Sequence, residues 1–307
     1  MGKISLAGKP ICDAVSDGNI EEVKQLIGNG SNVNLKYDGQ PPILIATIKG
    51  HLEIMEYLIE KGANIKYKDK NGYTSFHHAA ESASENNVDI FRKLIVLAVR
   101  KNVDGVNIKT SEKTAESRSP LHIAAIKGRV EIMKFLIEEK RADILAVDIW
   151  RKTALHLAIK DSPKIEATMY LIEKASSDLI NAKDDNGDTP IHLAANLNNF
   201  EVLILLIARS ASINVEARSA WINVQNKQGY TPLHFAARFC NVDVMNHLIE
   251  NEALIEAKEN QGRTPLHFAA MKSFENFHFL IKKGADDMVK DEPWNKIPRN
   301  YLQFLNH

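Results

Sequence analysis

The chain lacks most of what would mark a catalytic, disulfide-bonded or membrane protein. It has two cysteines in 307 residues, Cys12 and Cys240; they lie far apart along the chain and are expected to be buried, reduced thiols rather than a bridge. Neither sign of charge is in excess, with 39 basic and 39 acidic residues, which removes the long-range attraction on which nucleic-acid and anionic-membrane binders rely. The longest apolar stretches, Leu94 to Val99 and Val202 to Ala208, fall well short of the ~20 residues a membrane helix needs. The opening Met1-Gly2-Lys3-Ile4-Ser5-Leu6 has no apolar run suited to a signal peptide, and Leu6 stands where a myristoylation signal has Ser or Thr. A cytoplasmic protein is expected, binding neither nucleic acid nor membrane. Phosphate loop, nucleophile elbow, His-Glu-x-x-His pair and Cys-x-x-Cys are all missing, so neither an enzyme nor a cofactor is expected.

What the chain has in abundance is one phrase. Ser119-Pro120-Leu121-His122-Ile123-Ala124-Ala125 returns as Thr189-Pro190-Ile191-His192, as Thr231-Pro232-Leu233-His234 and as Thr264-Pro265-Leu266-His267, and each copy continues into an Ala pair. Looser copies sit at Thr74-Ser75-Phe76-His77-His78, Thr153-Ala154-Leu155-His156, Pro42-Ile43-Leu44 and Pro10-Ile11-Cys12. Counted from the Pro position, the anchors fall at 10, 42, 75, 120, 154, 190, 232, 265 and 298, most of them about 33 residues apart, the mark of a stacked array. Thr followed by Pro suits a helix cap and first helical position, so each phrase starts a helix. A polar turn such as Gly50-His51 leads to a second helix, marked by Ile54, Leu58 and Ile59.

Period and phrase resemble the ankyrin repeat over essentially the whole chain. The resemblance implies an all-α repeat solenoid of helix-turn-helix units with β-hairpin fingers: a single domain over 1–307, of about eight repeats and a C-terminal capping half-repeat. Residues 1–35 form the N-terminal capping repeat, 36–290 the internal repeats and 291–307 the C-terminal cap, where an aromatic helix around Trp294 and Tyr301 seals the last layer. The long intervals between anchors 75 and 120 and between 190 and 232 imply extended fingers at 101–118 and 211–226. The first is polar and expected to be mobile. In the second, Ile213, Val215 and Ala217 alternate with polar residues before Trp221, which predicts a β-hairpin with an exposed apolar tip. In the family, the phrase His bonds backbone and the phrase Thr across layers, and layers about 10 Å apart keep such histidines from sharing a metal. His78 is expected to face outward.

The resemblance also implies which positions vary for binding: the hairpin tip and the exposed face of the first helix. Tyr73, Trp150, Arg151, Lys152, Tyr230, Arg238, Phe239, Arg263 and Met271 fall there, and Trp221 lies on the second finger. Trp, Tyr and Arg dominate interface energies. Arg151 occupies the place where other tips carry Gly39, Gly72, Gly187, Gly229 and Gly262, and a bulky residue there is expected to reshape the turn. No catalytic, cofactor-binding or metal residue is assigned.

The leading expectation is a non-enzymatic, monomeric protein-protein interaction scaffold that binds a partner protein through its concave face and fingers. Abundant Lys, Ile and Asn favour an effector-like adaptor of an intracellular bacterium or parasite, acting in a host cytosol. Two other expectations stand beside it. One is an inhibitory or regulatory subunit of an enzyme. The other, inherited from the family, is a substrate of an asparagine hydroxylase at Asn34, Asn64, Asn181 or Asn223.

Overall fold

The computed structural model describes residues 9–82, 87–110, 116–161, 165–214, 218–239, 242–292 and 294–306. The chain divides into two compact units, Met1–Ile149 and Trp150–His307. Helices begin at or beside every anchor. In the first unit the pairs are Lys9–Ser16 with Ile20–Gly28, Pro42–Lys49 with Leu52–Glu60, Ser75–Glu81 with Asn87–Arg100, and Pro120–Ile126 with Val130–Lys134, the last continuing as a π turn, Phe135–Glu139. In the second they are Ala154–Asp161 with Ile165–Lys174, Pro190–Asn196 with Phe200–Ile213, Pro232–Phe239 with Val242–Glu250, and Pro265–Lys272 with Phe274–Lys282, closed by a 3-10 helix, Pro298–Asn306. Among the described residues there is no sheet, and the one isolated bridge pairs Tyr37 with Gln40.

Local chemistry explains why several of the first helices start where they do. In Thr74, Ser119, Thr189 and Thr264 the hydroxyl accepts from the backbone of the His three residues on, while the cap backbone N–H donates to that imidazole, a reciprocal capping box. The following Ala79-Ala80, Ala124-Ala125, Ala194-Ala195, Ala236-Ala237 and Ala269-Ala270 are buried, as are Leu58, Leu94, Leu136, Leu171, Leu206 and Leu248 of the second helices. Small residues on one helix and large ones on the other let adjacent helices approach and still fill the space between them. In the first repeat Asp13, Asp17, Asn19, Glu21 and Glu22 are all exposed. In the C-terminal element Tyr301 is buried beside the His267 ring and its hydroxyl donates to buried Asp291, whereas Trp294 stays 54% exposed.

The histidines tie one repeat to the next. Within a repeat the phrase hydroxyl lies 2.7 to 3.0 Å from Nδ1. Because the Thr N–H donates to Nδ1, the ring carries its proton on Nε2. That Nε2–H donates to a carbonyl of the following tip: His77 to Arg118, His156 to Asp188, His192 to Tyr230, His234 to Arg263 and His267 to Lys296, at 2.9 to 3.3 Å. The hydroxyl bond is therefore internal to the repeat, and only the carbonyl bond crosses to its neighbour. His78 does not face outward; its Nε2 lies 2.9 Å from the carboxylate of Asp69, and its side chain is only 15% exposed.

The second long interval forms no hairpin finger among the described residues. From 211 on, the apolar spacing of Leu203, Leu206 and Ile207 carries the helix on to Ile213, and Arg218–Ile222 forms a further short helix whose Ile222 is fully buried. Extending an existing helix adds one hydrogen bond per residue fixed, whereas an isolated hairpin has no sheet to join. Val215 and Ala217, on which the alternation rests, lie outside the described residues. In the first long segment Gly105 packs on Phe76, so closely that an added Cβ would sit 2.2 Å from the ring. Thr110 and Arg118 pair through a backbone bond of 2.9 Å, and residues 111–115 between them lie outside the described residues. Cys12 is buried, its thiol pushed up to about 11 by burial; Cys240 lies outside the described residues.

Burial pushes His77, His156, His192 and His234 down to about 4 from the ordinary 6.5, while His267 is lowered for the same reason. Their folded values lie below the unfolded one, so the unfolded chain binds more protons between about 4 and 6.5. Stability is thus complete above that window and falls as pH drops through it, by roughly 3 kcal/mol per histidine at pH 4. Acid unfolding followed by helical circular dichroism should lie in this window and take up more than one proton. A midpoint below pH 4 would contradict the neutral ladder.

Candidate protein-binding site

Four of the tips are tight turns closed by two backbone bonds: the N–H of Asp69, Asp184, Asn226 and Glu259 donates to the carbonyl of Tyr73, Asp188, Tyr230 and Arg263 at 2.9 to 3.0 Å, and the N–H of Gly72, Gly187, Gly229 and Gly262 donates back to the carbonyl of the opening residue at 2.8 to 3.0 Å. The residue that opens the turn also supplies a side-chain oxygen. Asp69 Oδ1 accepts from the N–H groups of Asn71 and Tyr73, Asp184 Oδ1 from Asn186 and Asp188, Asn226 Oδ1 from Gln228 and Tyr230, and Glu259 Oε1 from Gln261 and Arg263. These acceptors escaped the sequence reading, although an oxygen-bearing side chain recurs six residues before the anchors at Asp69, Asp148, Asp184, Asn226 and Glu259. Burying a carboxylate costs little where two or three N–H groups face it.

In the second unit the tips are also joined to one another. The N–H of Asp185 donates to the Trp150 carbonyl, Lys227 to Asn186, Asn260 to Gln228 and Glu292 to Gln261, at 2.7 to 3.0 Å. Arg151 keeps the glycine conformation with φ 58, close to the 79 and 83 of Gly187 and Gly229. The turn is therefore not reshaped: the backbone geometry is retained, and the arginine bears the cost of a left-handed residue. That leaves Trp150 on the tip with 40% of its surface exposed and Arg151 exposed beside it, while Lys152 is half-buried.

Tyr230, His234, Phe235, Arg238 and Phe268 line a small cleft of about 10 Å³, and Arg263 joins them through the Tyr230 hydroxyl and the Phe268 ring. The Tyr230 ring meets Phe268 edge-on at 5.3 Å and Phe235 at 5.6 Å. Arg263 is turned inward. Its Nε donates to Glu259 at 3.0 Å, its Nη2 reaches the Tyr230 hydroxyl at 3.4 Å, and its guanidinium covers Phe268 at 4.9 Å. Arg238 stacks over Phe239 at 4.8 Å, and Phe239 is 48% exposed. Phe235 and Phe268 were not foreseen as part of the site, since both stand in the repeated phrase and read as core. Met271 is half-buried at the equivalent place in the next repeat. Trp221 is half-buried on the short helix packed against Phe200–Ile213, not displayed on a tip. Tyr73 belongs to the first unit, where its half-buried ring lies 5.6 Å from His77 and 5.5 Å from His78.

Two of the asparagines singled out in the sequence act as clamps between repeats. Asn34 Oδ1 accepts from the N–H of Asn64 and its amide donates to the Gly62 carbonyl; Asn223 does the same with Leu254 and Glu252. Among the described residues no group of His, Cys, Asp and Glu could hold a metal ion, and no helix is long and apolar enough to cross a membrane.

A tandem helical array with bonded tips and varied side chains on one face defines a repeat-built binding protein. A family model described as ankyrin repeats in three copies matches residues 11–104, 82–165, 121–217 and 218–291, and the chain belongs to the ankyrin repeat family. The crystal structure of the human ASB11 ankyrin repeat domain is similar in fold, with a TM-score of 0.61 over 80% of this chain and 98% of that one at 24% identity. Sequence relatives include the transient receptor potential cation channel subfamily A member 1 of Drosophila melanogaster, 28% identical over 59% of this chain. A probable E3 ubiquitin-protein ligase XBOS33 of Oryza sativa is 27% identical over 68%. The chain spans 18% of the length of the first and 40% of the second.

At Gly229, φ is 83 and an added Cβ would lie 2.6 Å from Asn260 Oδ1 and 2.8 Å from its backbone N; at Gly39, φ is 75 and the space is open. Gly229→Ala should therefore cost about 2 kcal/mol or more and Gly39→Ala about 1 kcal/mol. Arg151→Gly should be neutral or stabilising by up to about 1 kcal/mol, since relief of the left-handed strain is partly offset by a looser unfolded chain. Urea unfolding of the three variants tests this ranking, and equal losses for the two glycines would refute the role given to the tip contacts.

Proposed function

We propose that this protein is a non-enzymatic scaffold whose partner protein seats on the tips and first-helix ends of the second unit. The observation that carries the reading is the exposure of Trp150, Arg151 and Phe239, with a half-buried Arg238 stacked over the Phe239 ring, on elements that are otherwise fixed by buried bonds. Rigid backbone with exposed aromatic and arginine side chains suits recognition, because little ordering entropy is lost when the partner arrives. Membership of the ankyrin family supports the same role.

The finer version is an effector-like adaptor working in the cytoplasm, and in a host cytosol if delivered there. It is supported by the Lys-, Ile- and Asn-rich composition. The clamping bonds of Asn34 and Asn223 give these residues a structural purpose, so nothing further favours the hydroxylase-substrate reading.

Affinity capture with wild type beside the combined Trp150→Ala, Arg238→Ala, Phe239→Ala variant tests the proposal. At ~2 kcal/mol for a hot-spot side chain, the variant should bind the captured partner at least about 100-fold more weakly while its melting curve stays unchanged. Retention of the same partner with undiminished affinity would place the interface elsewhere.

A further inference from the structure

We propose that the tip row of the second unit receives a proline-rich segment of the partner in the polyproline II conformation, laid along the row with one turn on each tip. This rests on the protein-binding reading above and adds the chemistry of what is bound. Four residues take the same place in successive tips, two after the residue that opens the turn: Trp150, Asn186, Gln228 and Gln261. The bonds between tips use only their backbone. Each of the four carbonyls accepts from an N–H of the following tip, at 2.7 to 3.0 Å. Their side chains stay outside. Trp150 is 40% exposed, and Asn186, Gln228 and Gln261 are exposed with carboxamides that make no hydrogen bond among the described residues.

Spacing and bonding capacity select the occupant. Successive repeats stand about 10 Å apart, and polyproline II, at three residues per turn and about 3.1 Å per residue, shows the same face again after about 9.3 Å. A β-strand covers a similar distance in three residues but alternates its faces, so it would show consecutive tips opposite sides. An α-helix keeps its carbonyls in its own bonds and leaves a carboxamide nothing to donate to. Polyproline II has no internal hydrogen bonds, so each turn brings an open carbonyl to the NH2 group of Asn186, Gln228 or Gln261. Proline's missing N–H costs nothing here, because the tips supply the donors. Trp150 heads the row and offers its ring to a proline, the aromatic contact by which such segments are recognised. Charge favours a neutral segment. The exposed charged side chains on these tips are Arg151 and Lys227 against Asp185 and Glu292, and they cancel. Both surfaces are also formed before they meet, the segment by proline and the tips by their bonds, so little ordering entropy is lost.

The test is titration of the full chain with acetylated, amidated decaproline, about 31 Å long and so able to reach all four tips, with binding mapped by NMR. Tetraproline, which reaches only two tips, and a flexible Gly-Ser peptide of the same length as decaproline are the controls. Decaproline should shift the side-chain amide resonances of Asn186, Gln228 and Gln261 and the indole N–H of Trp150, and bind about tenfold or more tightly than either control. The combined Gln228→Ala, Gln261→Ala variant should lose about tenfold or more in affinity, since two hydrogen bonds go, while its unchanged melting curve shows that the array is intact. No binding at millimolar decaproline, equal binding of either control, or full affinity in the double variant would overturn the proposal. The capture experiment separates the two ideas. A partner lost by the triple variant yet not displaced from the wild type by decaproline overturns this inference and leaves the scaffold reading standing.

Discussion

The interaction on which the remainder of the structure depends is an uncharged imidazole held between a hydroxyl and a carbonyl. Nδ1 can accept from Thr only while it is unprotonated, and Nε2–H then has one place to donate, the carbonyl two residues ahead of the next anchor. Burial keeps the ring neutral and neutrality keeps both bonds. The two conditions support each other, so the spacing between consecutive repeats is set by a directional bond and not by apolar contact alone. Where helices meet only through Ala and Leu, sliding would cost little; where a buried Nε2–H would lose its acceptor, it costs a desolvated donor.

The carbonyls chosen by these histidines belong to Arg118, Asp188, Tyr230, Arg263 and Lys296. No two of these positions in the second unit carry the same side chain, because the frame uses only their backbone. The same atoms that hold the array together thus leave the side chains free to differ. The side-chain oxygen that opens each tip works in the same way. Asp184, Asn226 and Glu259 differ in charge and length, yet each accepts from the same two N–H groups.

Tip geometry is enforced strongly enough to override residue preference. Arg151 holds a left-handed backbone that its neighbours reach with glycine, and the backbone bond from Asp185 to Trp150 explains why it does not relax. Contacts across the tip row over-determine the turn, which leaves Trp150 and Arg151 outside.

Much of this was legible in the chain because the decisive contacts are local. A Thr or Ser cap, a Pro or its substitute, and a His three residues past the cap close a box within four residues, so the anchors at 75, 120, 154, 190, 232 and 265 each mark a helix start. What the linear order could not decide is which side chains meet across repeats. Arg263 and Tyr230 both read as exposed anchors, yet packing turns Arg263 onto Glu259 and Phe268 and makes Tyr230 a wall of the cleft. The alternation at 213–217 read as a strand, but a strand needs a partner strand, and helix Phe200–Ile213 could lengthen without one. The sequence by itself therefore determined the repeat frame, whose bonds span three residues. Only the tertiary structure decided which side chains stand together on the tips and first-helix ends, because these neighbours lie about 33 residues apart along the chain and are brought together by the packing of successive repeats.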